Sequence, residues 1–262
     1  MEGLFMILAA RETGSGPTLC LLHGLFGAAR NFGAVQRRLA ARFRVVALDL
    51  RNHGASPHAE GMSYMGMAED VRETLAAMGA LPAMILGHSM GGKVAMRLAL
   101  AHEEAAQGLV VADIAPVPYP PHHRGMTAAM LNLPLGPGLT RQAADAALAP
   151  SVPDPQVRGF LLQNLLVGET PSWRNGLAQI ADAMAEIEDF PLLSGARYKG
   201  PALFVAGERS DYIRPEHHAA IRALFPKAEF ATVPGAGHWL HADNLEGLLA
   251  VIEPFFREWA PA

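Results

Sequence analysis

Residues 83–101 read A-M-I-L-G-H-S-M-G-G-K-V-A-M-R-L-A-L-A. An apolar run, a glycine-flanked serine and a helix-forming stretch follow one another without a gap. That succession predicts strand, tight turn, helix. In such a turn the serine takes a strained backbone conformation and its hydroxyl is lifted to the top of a sheet. Gly87 and Gly91 fit because a side chain at either place would collide with neighbouring elements. A bare G-x-S-x-G also occurs as a turn with a solvated serine. The strand before it and the helix after it favour Ser89 as a nucleophile.

Short apolar runs recur on either side of this unit: Thr18–Leu22, Val45–Leu48, Leu109–Ala112, Leu203–Ala206 and Phe230–Val233, with Met84–Leu86 inside it. Several are continuous and not alternating, as expected of strands covered on both faces. Helical periodicity separates many of them. Met67, Val71, Leu75 and Met78 share a face over 63–80, as do Phe32, Val35 and Leu39 over 29–42. Leu245, Leu248, Leu249, Ile252 and Phe256 do so over 244–259, where Pro254 is expected to kink or restart the helix. Strands alternating with helices predict an α/β fold, a mostly parallel central sheet with helices on both faces.

The alternation breaks between residues 115 and 197. The segment opens with P-V-P-Y-P-P at 116–121. Helix-like pieces follow near 123–132, 140–148, 155–167 and 172–187, with no strong strand run among them. Asp154 before Pro155 and Ser172 before Trp173 read as helix starts. The expected organisation is a core of residues 1–114 and 198–262, with a helical insertion, 115–197, over the sheet.

Composition bounds the function classes. The chain has 262 residues, 50% hydrophobic and 18% charged, which makes it globular. A net charge of −4 leaves no basic excess for nucleic acid or an anionic membrane surface. No uninterrupted apolar run approaches the roughly 18 residues of a membrane span. The N-terminal M-E-G-L-F-M-I-L-A-A-R suits a first strand better than a signal peptide, with Glu2 where lysines would stand. The single cysteine, Cys20, lies in T-L-C-L-L and reads as a small core residue. These features predict a soluble cytoplasmic protein. No H-E-x-x-H spacing and no nucleotide loop appears, so neither a metal nor a cofactor is expected.

A serine hydroxyl is a weak nucleophile without a base. Among eleven histidines, His238 in V-P-G-A-G-H-W-L-H follows the last apolar run, where a glycine-rich loop can reach back over the serine. His241, one helical turn on, suits a packing role near the site. His122 and His123 read as surface residues, and His217 and His218 as solvated helix positions. A developing oxyanion needs fixed backbone donors. H-G-L-F-G at 23–27 follows the strand 18–22, so the N–H groups of Leu25 and Met90 can supply them.

Taken together, H-G-L-F-G, D-L-R-N-H-G-A-S at 49–56, G-H-S-M-G-G at 87–92 and G-A-G-H-W at 235–239 resemble the α/β-hydrolase superfamily, in its order and over nearly the whole chain. Residues 115–197 fall where that family carries a lid. L-H-G-L-F-G-A-A-R-N-F, D-L-R-N-H-G-A-S-P-H and A-D-I-A-P-V are similar to the YbfF-type acyl esterases. In D-L-R-N-H-G-A-S, Asp49 and Arg51 are expected to pair and hold the loop, with His53 structural.

The acid that orients the histidine has two candidate positions in the superfamily. The usual one is the loop G-E-R-S-D-Y-I-R-P at 207–215, where counting from the glycine reaches Ser210 and counting back from the proline reaches Asp211. The other is Asp113, at the end of L-V-V-A-D. The resemblance to the YbfF-type branch favours Asp113, with Ser210 making a secondary hydrogen bond near His238 and Asp211 as the alternative. The implied activity is hydrolysis of small to medium acyl esters or thioesters through an acyl-serine. C–C bond hydrolases, cofactor-free haloperoxidases, lyases and small-molecule binding proteins share the scaffold and stay open. The acyl chain, the natural substrate and the oligomeric state are not encoded in any motif.

Overall fold

The computed structural model describes residues 6–191 and 193–259. Its strands, in chain order, are β1 (Ala10–Thr13), β2 (Thr18–Leu22), β3 (Arg44–Leu48), β4 (Ala83–His88), β5 (Ala106–Ala112), β6 (Leu165–Leu166), β7 (Ser172–Trp173), β8 (Ala202–Gly207) and β9 (Ala228–Val233). Seven form one sheet in the order β1-β3-β2-β4-β5-β8-β9, and β6 and β7 form a small hairpin. Every pairing in the large sheet is parallel except β1 with β3.

The continuous apolar runs have a direct cause. In β2, Leu19 and Leu21 pack with Val35, Leu39, Leu249 and Ile252 on one face of the sheet. Cys20 and Leu22 pack with Val71, Leu75, Val94 and Leu98 on the other. Both faces are covered, so both sets of alternate residues must be apolar. The helices responsible are α1 (Gly33–Leu39), α2 (Tyr64–Ala77), α3 (Met90–Ala101) and, from the C-terminal end, α11 (Leu245–Trp259). Each fully buried Leu or Val contributes roughly 1.5–3 kcal/mol. Cys20 is one of these core residues, fully buried.

Between β5 and β8 lie α4 (Arg124–Leu131), α5 (Arg141–Leu148), α6 (Pro155–Leu162), the β6–β7 hairpin, α7 (Leu177–Asp182) and α8 (Met184–Glu188). None adds a strand to the large sheet. After β8 come α9 (His218–Leu224) and, after β9, α10 (Leu240–Asp243).

Some local expectations are corrected. Residues 1–5 lie outside the described residues, and the first strand begins only at Ala10. It is an exposed edge strand, so it carries no apolar pattern. The apolar residue before it, Leu8, is buried, with its amide bonded to Thr74 Oγ1 at 2.9 Å. Asp154 does cap α6, accepting from the Gln156 amide at 2.8 Å. That helix stops at Leu162, and Ser172 lies in β7 instead of starting a helix. Gly168, at φ +150°, and Pro171 turn the chain between the two short strands. Pro254 does not interrupt α11. Pro254 and Ala250 are both exposed, so the carbonyl left without its helical donor faces water, and buried Leu249, Ile252, Phe255 and Phe256 hold both halves to the sheet.

Candidate active site

Ser89 sits between β4 and α3 at φ +53°, ψ −120°. An L-residue takes that conformation only when its surroundings enforce it. A side chain on Gly87 would collide with the Gly91 carbonyl, and one on Gly91 with the Leu22 and His23 carbonyls. The two glycines therefore let the turn close against β2. The Ser89 amide donates to the Ala112 carbonyl at 3.0 Å, tying the turn to the end of β5.

Asp113 follows directly. Its amide still pairs with the Val205 carbonyl of β8 at 2.8 Å, and its φ is +54°, a region Asp tolerates better than most residues. The side chain is fully buried. Oδ1 accepts from the Gly207 amide at 3.1 Å, and Oδ2 accepts from the Ser210 hydroxyl. Asp113 Oδ2 also lies 2.7 Å from His238 Nδ1, and His238 Nε2 lies 3.0 Å from Ser89 Oγ. The carboxylate fixes the tautomer: Nδ1 donates to Asp113, leaving Nε2 to accept from the serine. Asp211 is exposed and makes no hydrogen bond or ion pair among the described residues.

The histidine loop approaches closely because Gly207 has no side chain; a Cβ there would meet the Gly237 carbonyl. Tyr212 stacks on the His238 ring at 4.0 Å. His88 Nε2 donates to the His238 carbonyl at 2.7 Å, a second tie between the serine turn and the histidine loop. Neither contact is apparent in the sequence, although both residues lie within stretches whose other members are. Burial holds His88 well below the ordinary imidazole range, so it is neutral. His241 packs near His88 and Phe32, and burial lowers it to about 4.

The loop 23–27 presses on the serine: a Cβ on Gly24 would lie 3.2 Å from the Ser89 Cβ. The amides of Leu25 and Met90 take no acceptor among the described residues. Two neutral histidines hold this loop. His23 Nδ1 donates to the Gly24 carbonyl at 2.8 Å and Nε2 accepts from the Leu50 amide at 3.0 Å. His53 Nδ1 donates to the Arg51 carbonyl at 2.8 Å and Nε2 accepts from the Phe26 amide at 3.1 Å. Burial lowers His23 to about 4 and His53 to about 3, the latter helped by His23.

The expected pair between Asp49 and Arg51 does not form. Arg51 binds Asp70 on α2 at 2.6 Å, while Asp49 accepts from the Ala29 amide at 2.6 Å and the Ala55 amide at 2.8 Å. Turn amides satisfy Asp49 locally, which frees Arg51 to reach the helix.

A cavity of about 210 Å³ opens on Ser89 and His238. Phe26, Phe32, Met126, Val157, Phe160 and Trp239 make most of it apolar. His123 also lines it, half-buried, and burial lowers it to about 4; it is not a surface residue as expected, because it stands at the start of α4, beside the cavity. His122 is exposed. His217 and His218 are half-buried and not solvated, since α9 lies against β9 and His218 stacks on Phe230 at 3.9 Å. Among the described residues no helix is long and apolar enough to cross a membrane.

Residues 17–245 match the family described as alpha/beta hydrolase fold. The chain is 40% identical over 248 residues to the sn-1-specific diacylglycerol lipase ABHD11 of Mus musculus, covering 91% of this chain and 80% of that protein. It is 33% identical over 250 residues to esterase YbfF of Escherichia coli (strain K12), covering 95% and 96%. The solved structure of a marine microorganism esterase superposes with a TM-score of 0.91 at 36% identity, covering 95% of this chain and 98% of that one.

Proposed function

The chain belongs to the alpha/beta hydrolase fold family and is a carboxylic ester hydrolase; from that premise we propose that Ser89, His238 and Asp113 are its catalytic triad. The observation that carries this reading is the hydrogen-bonded line from Ser89 Oγ through His238 to Asp113 Oδ2, at 3.0 and 2.7 Å.

In the proposed mechanism Ser89 Oγ attacks the carbonyl carbon of an ester or thioester, and its proton passes to His238 Nε2. Asp113 stabilises the imidazolium. The carbonyl oxygen becomes an oxyanion held by the amides of Leu25 and Met90. Collapse of the tetrahedral intermediate breaks the bond to the leaving group, which takes the proton from His238. Water then attacks the acyl-serine and His238 removes its proton; the bond to Ser89 Oγ breaks as His238 returns that proton to it, and the acid departs. Residues 115–197 act as a lid, with Met126, Val157 and Phe160 forming the acyl side of the cavity. The esterase and lipase relatives support this ester chemistry over other serine-dependent reactions. A cytoplasmic location is consistent with a lone cysteine that is buried and free.

Labelling with a fluorophosphonate probe tests the reading. One adduct on Ser89 is expected, lost in Ser89→Ala together with p-nitrophenyl ester turnover. An unlabelled wild-type protein, or a Ser89→Ala variant with full turnover, overturns it.

A further inference from the structure

One residue between β5 and β8 reaches the loop that carries the proposed oxyanion donor. Asn164, between α6 and β6, is buried at 1% exposure. Its Nδ2 donates to the Phe26 carbonyl at 2.7 Å, and its Oδ1 accepts from Arg30 at 2.7 Å. A donor on one side and an acceptor on the other leave a single way to orient the amide. Its own carbonyl accepts from the Arg174 amide at 2.9 Å, so the residue is locked at the base of the β6–β7 hairpin.

Phe26 is itself unusual, with φ +59°. Its amide is held by His53 and its carbonyl by Asn164. The residue after Leu25 is thus clamped at both ends, once from the core and once from the insertion. The Phe26 carbonyl shares a peptide plane with the Gly27 amide, which donates to the Gly24 carbonyl at 2.9 Å; that carbonyl shares its own plane with the Leu25 N–H, so holding the Phe26 carbonyl bears on the direction of the Leu25 N–H. Leu25 and Phe26 line the cavity, but Asn164 does not.

We infer that Asn164 is a positioning residue: through the Phe26 carbonyl it aims the Leu25 amide at the oxyanion, so that docking of the insertion completes the oxyanion site. The inference rests on the reading of Leu25 as a donor. A misdirected donor weakens the transition state more than the bound substrate, so kcat falls and KM does not. The Asn164→Asp variant keeps the partner for Arg30 and replaces the donating amide by a carboxylate facing the Phe26 carbonyl. The expected loss in kcat is about 10- to 100-fold, up to what a misplaced group costs and below the cost of deleting a donor.

The test compares 4-nitrophenyl butyrate with its thionoester, in which sulfur replaces the carbonyl oxygen and accepts hydrogen bonds poorly. Wild-type protein should prefer the oxygen ester far more strongly than hydroxide ion does. Asn164→Asp should lower kcat and pull that preference toward the hydroxide value. Gln163→Ala is the control, since it removes the bond from Asn31 to the Gln163 side chain at the same junction and leaves Phe26 alone; it should keep both kcat and the preference. Should the aspartate variant fail to fold, Asn164→Ala carries the same readout without a buried charge. If wild-type protein already matches hydroxide, the oxyanion reading itself fails. If wild-type protein shows the preference and Asn164→Asp retains it with full kcat, this inference alone fails. Equal losses in Gln163→Ala and Asn164→Asp would reduce Asn164 to an anchor and also overturn it.

Discussion

The Ser210 hydroxyl and the Asp113 carboxylate are hydrogen-bonded, joining the loop after β8 to the end of β5. The accepting oxygen is Oδ2, which also faces His238 Nδ1, while Oδ1 takes the Gly207 amide. Both oxygens of a fully buried carboxylate thus have donors, as a buried charge requires. Counted from Gly207, Ser210 falls at the usual acid position of the resemblance, and here it donates to a carboxylate supplied from the neighbouring strand.

Asp113→Asn should therefore abolish most turnover and Asp211→Asn should not. Asparagine keeps the shape but favours the wrong histidine tautomer, so the loss should fall on kcat, about 10³- to 10⁴-fold. Asp211 is exposed, and its replacement should change kcat by less than about twofold. Steady-state hydrolysis of a p-nitrophenyl ester reads both. Collapse in Asp211→Asn alone would move the acid to the later loop.

Ser210→Ala should give an intermediate defect. It removes one of the donors to Asp113 and leaves those from Gly207 and His238. A hydrogen bond to a charged group is worth about 1.5–3 kcal/mol, and replacement by water recovers part of it. A loss of roughly tenfold in kcat is expected, with KM little changed. Wild-type turnover in Ser210→Ala would assign the hydroxyl to packing alone.

Two glycines with similar backbone angles should respond differently to alanine. Gly54, at φ +58°, lies against the Asp49 carboxylate, and a Cβ there would strike it. That carboxylate holds the amides of Ala29 and Ala55. Gly61, at φ +73°, has nothing within 4 Å. Gly61→Ala should cost about 1 kcal/mol, from backbone strain alone. Gly54→Ala should cost at least about 2 kcal/mol more, because the clash breaks a buried set of hydrogen bonds. Urea denaturation distinguishes them, and equal costs would refute the argument.

Acid should destabilise this protein through its buried histidines. His23 and His53 are lowered from 6.5 to about 4 and about 3. Between pH 6.5 and 4 the unfolded chain binds these protons and the folded chain does not, so protonation favours unfolding. The stability is complete above pH 6.5 and is lost as pH falls towards the folded values. Each histidine withdraws about 1.4 kcal/mol per pH unit across its window. His53→Gln should lower stability at pH 7.5 yet flatten the slope between pH 6.5 and 4. Parallel curves for the two proteins would contradict this.

What the sequence reveals here depends on how locally each feature is encoded. β2, β4 and β5 are legible because burial on both faces makes their runs continuous. Ser89 and His238 are legible because tight loops demand glycines beside them. Asp113 stands out as a charge closing an apolar strand, but only the family resemblance favours it over Asp211. Asn164 and Tyr212 carry no such mark. Asn164 meets Phe26 across 138 positions of chain, and no spacing rule reports that contact. The pairing of Arg51 with Asp70 is illegible for a related reason: Asp49 is nearer in sequence, but turn amides already satisfy it. The β6–β7 hairpin has two residues per strand, too few to show a period.

The apolar cavity should make turnover rise with acyl length until its far wall is reached. Each methylene that finds an apolar contact contributes about 0.8 kcal/mol, or roughly fourfold in kcat/KM. Val157 lines the cavity from α6, and Phe160, on the same helix, meets Trp239 at 5.5 Å. Val157→Trp puts a larger ring into that space without touching Ser89 or His238. Acetate should be cleaved nearly as fast as by the wild type, and the rise with chain length should stop earlier. A panel of p-nitrophenyl esters from acetate to decanoate reads the break point. A uniform loss across the panel would mean that Val157 supports the fold of α6 and that the acyl chain lies elsewhere.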